Sequence, residues 1–206
     1  GGSISFSATM RLILTPNSPY ARVVRMIALD AGIALNLSFM PTRDAADEIL
    51  NYTPTGKVPT LVLDDGTTLS DTRVICEHIQ VGCGKCYVSP VSDTDARHWE
   101  GLVAGFLDGI AVLDREVRRE IEDQSPSILA LEKRRALRCL DHFENAWDHG
   151  CRDIKFASAT LFAALDIGDR RSPLDWRSGH PKMAQWLDHF RALPPAIETA
   201  PPPANS

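Results

Sequence analysis

A serine and a proline mark the first place where this chain has residues suited to chemistry. They stand in Asn17-Ser18-Pro19-Tyr20-Ala21-Arg22, between the apolar run Leu12-Ile13-Leu14 and an amphipathic run that stops at Gly32. Pro19 suits the first helical position, where its missing N–H would have no partner in any case. Ser18 then falls at the N-cap, with its hydroxyl beside free backbone N–H groups and the positive end of the helix dipole. An anionic group of a ligand is stabilised at such a place. Two later stretches offer polar groups to the same ligand. Lys57-Val58-Pro59 has a proline near a strand start, and proline cannot serve the middle of a ladder. Asp71-Thr72 precedes Val74, Ile75, His78 and Ile79 and has the residue types that open a helix. Each stretch alone also has a plainer reading. Ser18 and Asp71-Thr72 fit simple N-caps, Val58-Pro59 fits an ordinary strand entrance, and Lys57 fits a solvated lysine.

The elements that must position these residues follow from periodicity. Residues 11–15 read as a strand and 20–31 as a helix, with Val23, Ile27, Ala28 and Ala31 at helical spacing. Leu35, Leu37 and Phe39 alternate with polar residues, which predicts a strand with one buried face. Residues 44–50 form a short helix or turn, and Pro54-Thr55-Gly56 is a breaker. Residues 58–63 and 67–69 are strands joined by the turn Asp64-Asp65-Gly66. The order βαβαββα spans about 80 residues, within the usual domain range.

Beyond it the character changes. Leu102, Phe106, Ile110, Leu113, Val117 and Ile121 predict one long helix over 95–123. Ser125-Pro126-Ser127 breaks it, and a second helix carries Leu131, Leu140, Phe143 and Trp147 as far as Gly150. Residues 156–167 are apolar nearly all round, as in a helix buried on every side, and 181–193 form the last helix. The expected divisions are 1–9, a leader ahead of a natural start at Met10; 10–82, an α/β domain; 83–93, a linker; 94–196, an all-helical domain; and 197–206, a disordered tail with Pro201-Pro202-Pro203.

Composition removes several function classes. The chain has 206 residues and is 44% apolar, enough core for one domain or two small ones. No apolar run is long enough to span a membrane, and no secretory signal is read. The net charge of −5, without a basic stripe, argues against nucleic acid. The odd number of cysteines, five, fits reduced thiols in a cytoplasm. Cys83-Gly84-Lys85-Cys86 is a CxxC, but no second CxxC or histidine pair completes a metal site, so no metal is expected. His78, His98, His142 and His189 read as surface or capping residues.

Four stretches in this order resemble the cytosolic glutathione S-transferase family, in particular its bacterial, serine-type members. They are Ser18-Pro19-Tyr20 with Arg22; Gly56-Lys57-Val58-Pro59-Thr60-Leu61; Leu69-Ser70-Asp71-Thr72-Arg73-Val74-Ile75; and Leu174-Asp175-Trp176 with His180-Pro181 and Trp186-Leu187. The likeness runs from residue 10 to about 195. It implies a thioredoxin-like N-terminal domain with a mixed four-stranded sheet, an all-α C-terminal domain and a homodimer with Asp71-Thr72 near the interface. It also implies a cis-proline at Pro59, whose preceding residue, Val58, pairs its backbone with the cysteinyl backbone of glutathione.

By the same resemblance the Asp71 carboxylate meets the α-ammonium, the helix start at Thr72 holds the γ-glutamyl carboxylate, and Lys57 meets a glutathione carboxylate. Asp71 is one methylene shorter than the usual Glu, and Thr72 replaces Ser. Ser18 and Ala21 stand where the thioredoxin-like ancestor has two cysteines, so a thiol–disulfide mechanism at this turn has no nucleophilic sulfur. The sulfur must come from the ligand. A hydroxyl hydrogen bond to a thiolate contributes about 1.5–3 kcal/mol, which lowers a thiol pKa by roughly one to two units. The implied activity is conjugation of the glutathione thiolate to a small apolar electrophile, with Ser18 as stabilising donor. The alternative is a non-catalytic glutathione-binding or protein-interaction member of the same fold, since fold does not fix function. Only the 99–106 stretch of the helical domain offers side chains for the electrophile. One departure is the buried helix near 156, which lacks the family's Ser/Thr-x-x-Asp cap and leaves Asp153 to cap it.

Overall fold

The computed structural model describes residues 10–43, 47–171 and 174–202. The described residues divide into two compact units: those up to Ser89 with 154–156 and those from Pro195 on, and those of 90–153 with 157–194. The expected leader at 1–9, residues 44–46 of the expected short helix and residues 203–206 of the expected tail lie outside the described residues.

The first unit is built on a four-stranded mixed sheet in the order β2-β1-β3-β4. Strand β1 (Met10–Leu14) runs parallel to β2 (Leu35–Phe39) and antiparallel to β3 (Thr60–Val62), which pairs antiparallel with β4 (Thr68–Ser70). Side chains alternate across a strand. Leu12 and Leu14 therefore face one side of β1 and Ile13 the other, and all three are buried, so the central strand is covered on both faces. Ile13 meets Ile49 of the short helix α2 (Asp47–Leu50) together with Met40, Tyr52, Val58 and Val62. Helix α1 (Pro19–Ala31) packs beside α3 (Thr72–Cys83). Gly32 ends α1 in the left-handed conformation, as its position predicts.

The stretch expected as a linker is partly core. Tyr87 and Val88 are buried, and both of their N–H groups donate to Gln80 Oε1, at 2.9 and 2.8 Å. The Tyr87 hydroxyl donates to Asp30 Oδ2 at 2.6 Å, and Lys85 Nζ donates to the Asp30 carbonyl at 2.6 Å. These bonds tie the chain after α3 back to the end of α1. Burial, with the Asp30 hydrogen bond behind it, pushes the Tyr87 phenol well above its usual range.

The tail expected from 197 is likewise corrected. A short helix, α8 (Pro194–Glu198), runs through it, and Thr199 beyond is buried. Five residues are too few to hold a helix alone. Arg22 of α1 is buried and holds it, with Nη2 donating to the Ala196 carbonyl at 2.9 Å and Nε to Thr199 Oγ1 at 3.3 Å.

The second unit is helical throughout. Helix α4 (Thr94–Val117) starts at Asp93, whose carboxylate accepts from the Ala96 N–H. The expectation of one helix to 123 fails at Val117, and Ile121–Asp123 is only a 3₁₀ turn. Gln124 Nε2 donates to the Val117 carbonyl, the last of the helix, and to the Arg119 carbonyl beyond it, while the Ser125 N–H donates to the Glu116 carboxylate, so polar groups from beyond the helix close its end. Helix α5 (Pro126–Ala146) has Ser125 as N-cap and Pro126 first.

Helix α6 (Phe156–Arg171) is buried nearly all round, with Leu161, Phe162, Ala163, Ala164 and Leu165 inside. Asp153 contributes its carbonyl there, accepting from Ser158 Oγ at 2.6 Å. Helix α7 (Pro181–Arg191) is capped from elsewhere, because Glu144 of α5 accepts from the Lys182 and Met183 N–H groups. Among the described residues no helix is long and apolar enough to cross a membrane.

Candidate functional site

The site is a product of strand register. Ile13 of β1 pairs with Thr60 of β3, and Thr60 pairs with Ser70 of β4. The end of β1, the start of β3 and the end of β4 therefore lie at one end of the sheet. Ser18 follows β1, Val58-Pro59 precedes β3 and Asp71-Thr72 follows β4. Neighbouring strands are about 4.8 Å apart, so these three strand ends span roughly 10 Å. The register thus gathers Ser18 and Asp71, which are 53 positions apart in sequence.

Ser18 is half-buried and has extended backbone at the N-cap of α1, φ −66° and ψ 115°. Its Oγ accepts from the Ala21 N–H at 3.1 Å. A hydroxyl has two lone pairs and one proton. The cap uses a lone pair and leaves the proton to be given, so capping and donation are compatible in one residue. Next to it, the Asn17 Oδ1 is buried with no hydrogen-bond partner among the described residues, a feature the sequence did not mark.

The Lys57–Pro59 loop is shaped by Gly56 and by hydroxyls. Gly56 has φ +60°, where a side chain would be strained, and its N–H donates to the Thr53 carbonyl at 3.2 Å. The Lys57 N–H donates to Thr55 Oγ1 at 3.4 Å, and the Lys57 carbonyl accepts from Thr60 Oγ1 at 3.0 Å. The Val58–Pro59 peptide bond is cis. The Val58 side chain packs against the Ile13, Met40 and Ile49 cluster, Pro59 is buried and Lys57 is exposed.

Asp71 is the one non-glycine residue with positive φ among the described residues, at φ 79° and ψ 132°. Such a backbone costs on the order of 1–3 kcal/mol and persists only where the surroundings enforce it. Its Oδ1 accepts from the Arg73 N–H at 2.9 Å, which caps α3. Thr72, the first residue of α3, is buried.

The thiols do not join this group. Cys76 is fully buried on α3, and burial pushes its thiol up, away from reactivity. Cys83 is the last residue of α3, a helix of 12 residues, and Cys86 follows it, so both lie roughly 16 Å or more from the helix start at 1.5 Å per residue. They are free thiols that donate to the carbonyls of Gln80 and Val88. Among the described residues no three His, Cys, Asp or Glu side chains form a group that could hold a metal ion.

In the second unit the residues considered for an electrophile are engaged in core packing. Trp99 stacks on His142 at 5.4 Å and meets Trp147 edge-on, while Phe106 meets Phe143 edge-on. His142 is exposed, as expected of a surface residue, and stacks on Trp99 from outside. His180, just before Pro181, is buried between the Trp176 carbonyl at 2.7 Å and Asp141 at 3.0 Å.

This fold and this cluster define an α/β thioredoxin-like domain with a helical companion, of the type found in glutathione transferases. Residues 17–80 match the family of the glutathione S-transferase N-terminal domain. An uncharacterized GST-like protein of Escherichia coli K12, YibF, is 26% identical over 202 residues, covering 95% of this chain and 100% of that protein. A glutathione S-transferase of Methylobacillus flagellatus KT, solved with glutathione bound, is 25% identical with a TM-score of 0.82, covering 94% of this chain and 100% of that one. A glutathione transferase family member of Pseudomonas fluorescens Pf-5, also with bound glutathione, is 27% identical with a TM-score of 0.82 at the same coverage. Residues 17–80 thus match the glutathione S-transferase N-terminal domain, and the chain as a whole is similar to bacterial glutathione S-transferases.

Proposed function

We propose that this protein is a glutathione transferase in which Ser18 stabilises the glutathione thiolate. The thiolate sulfur attacks an electrophilic carbon of a small apolar substrate. A sulfur–carbon bond forms, and the leaving group departs with its electron pair, or the pair moves onto the acceptor in an addition. Ser18 keeps its proton and donates a hydrogen bond, so it acts as a stabiliser and not as a base.

The peptide lies across the strand ends. Val58 pairs with the cysteinyl backbone, Asp71 meets the α-ammonium, the Thr72 end of α3 holds the γ-glutamyl carboxylate, and Lys57 meets a carboxylate. Pro59 shapes the loop that presents Val58. An extended three-residue peptide reaches about 10 Å, which matches the span of the three strand ends. That match, set by the Ile13–Thr60–Ser70 register, is the observation that carries the reading. It is supported by relatives solved with glutathione bound. A homodimer with Asp71-Thr72 near the interface and a role in detoxification go with the same reading.

The test is glutathione binding followed by calorimetry, with thiolate ultraviolet absorbance of the complex against pH. The wild type is expected to bind and to show a bound-thiol pKa below the free value. Ser18→Ala should bind but titrate about one to two units higher. A wild type that does not bind glutathione sinks the enzyme reading. An unchanged titration in the variant removes Ser18 from the chemistry.

A further inference from the structure

We propose that Thr60 is a positioning residue for glutathione, because its hydroxyl aims the Val58 N–H at the ligand. The proposal rests on the reading above, in which Val58 pairs with the cysteinyl backbone. Thr60 opens β3 and is 0% exposed. A hydroxyl buried there is costly unless bonded, and a β-branched apolar residue would fill the same space and suit a strand equally well. What the hydroxyl adds is a donor. Its Oγ1 donates to the Lys57 carbonyl at 3.0 Å, a bond from one residue back to the third before it.

That carbonyl shares a peptide plane with the Val58 N–H. In a trans peptide the C=O and N–H point in opposite directions. Holding the Lys57 carbonyl inward on Thr60 therefore turns the Val58 N–H outward. None of the described backbone hydrogen bonds uses that N–H.

Neighbouring hydroxyls brace the arrangement. Thr53 is buried, its Oγ1 lies 3.0 Å from Thr55 Oγ1, and Thr55 in turn accepts from the Lys57 N–H. Ser70 Oγ lies 3.4 Å from both Thr60 Oγ1 and Thr53 Oγ1. Its single proton serves one of them at a time, and both contacts are long, so they steady Thr60 while the Lys57 bond does the aiming.

The experiment is glutathione calorimetry with thermal melting on wild type, Thr60→Val, Thr60→Ser and Val62→Ala. Thr60→Val should bind about five- to tenfold more weakly, the worth of one hydrogen bond. Thr60→Ser, which keeps the donor, should bind within about twofold of wild type. Val62→Ala trims the same strand and the apolar cluster that Val58 also meets but keeps every hydroxyl bond of the loop, and should lose melting temperature but keep its affinity. If Thr60→Val does not fold, Thr60→Ala carries the same expectation, with Thr60→Ser again as the rescue. The proposal fails if the hydroxyl-free variant binds like wild type, if serine does not rescue it, or if Val62→Ala weakens binding equally. A wild type that does not bind glutathione removes the underlying reading as well. A wild type that binds, with an unaffected Thr60→Val, removes this proposal alone.

Discussion

The two units bury polar groups to different ends. In the first, the buried hydroxyls of Thr53 and Thr60, the buried Thr72 and the strained Asp71 gather at one end of the sheet. In the second, the buried polar groups are mostly carboxylates held by arginines along the helices. Asp166 accepts from Arg170 at 2.9 Å and Arg191 at 2.8 Å, Glu132 from Arg135 at 2.6 Å, and Asp114 pairs with Arg118 at 2.9 Å. A buried charge must be paired, and its pairing locks neighbouring turns or helices. A neutral hydroxyl asks for less and can hold a loop in one pose. The first pattern suits a surface that meets a ligand, and the second suits a scaffold. Changes at the sheet end should therefore move binding with little loss of stability, and changes among the helices should do the reverse.

The hardest blow to the scaffold is Trp186→Ala. Trp186 is buried, packs on Phe190 at 4.9 Å and Trp147 at 5.6 Å, and donates to the Cys151 carbonyl at 3.0 Å. Its loss should cost about 3–5 kcal/mol in denaturant unfolding. A cost under about 1 kcal/mol would break the contrast.

Arg22 tests the contrast from the other side, because it is a buried charge doing scaffold work in the unit that carries the candidate site. Arg22→Met should destabilise by about 2–4 kcal/mol, through loss of its bonds to Ala196 and Thr199. Melting of a chain ending at Pro194 should fall comparably. Equal stability of wild type and Arg22→Met would show that α8 contributes nothing.

At the sheet end, Asp71→Asn keeps a capping side chain and removes the charge. The melting temperature should hold, while glutathione affinity falls about tenfold, or about 1.4 kcal/mol. A variant that loses stability and keeps affinity would place Asp71 with the scaffold.

The smallest effect is expected at Arg177, which bonds Asp169 at 2.6 Å and Asp188 at 2.9 Å. Those hydrogen bonds hold both carboxyls below their usual range. A depressed folded pKa gives stability that is complete above the unfolded value, about 3.9, and is lost as pH falls through the folded one. Arg177→Gln should therefore melt slightly below wild type at neutral pH, by up to about 1 kcal/mol. The difference should shrink as the pH drops below about 4. A gap that widens in acid would contradict this sign.

Much of the fold was legible because it is local. Ser18-Pro19 as cap and first turn, Gly32 as helix stop, Asp93 and Ser125 as caps and the alternation of β2 all act over three or four residues. What was not legible came from distant groups. The periodicity of α4 continues to Ile121, yet the helix stops at Val117 because Gln124 and Ser125 turn back on it. Helix α8 looked like a proline-rich tail because the residue that holds it, Arg22, is 177 positions from Thr199. Tyr87 looked like linker because its partners are Asp30 and Gln80. At the site, Ser18, Val58 and Asp71 could be named from motif order. Thr60 could not, because a buried threonine in a strand has no sequence signature apart from its β-propensity.

By itself the sequence determined most of the elements, the family likeness and the absence of a cysteine at the turn, since all of these are carried by residue type and near-neighbour spacing. Tertiary structure decided which of those residues meet. One antiparallel register, Ile13 with Thr60 and Thr60 with Ser70, brings three distant segments to the same sheet end. A slip of one residue in that register would turn every side chain of β3 to the other face, and Thr60 with them.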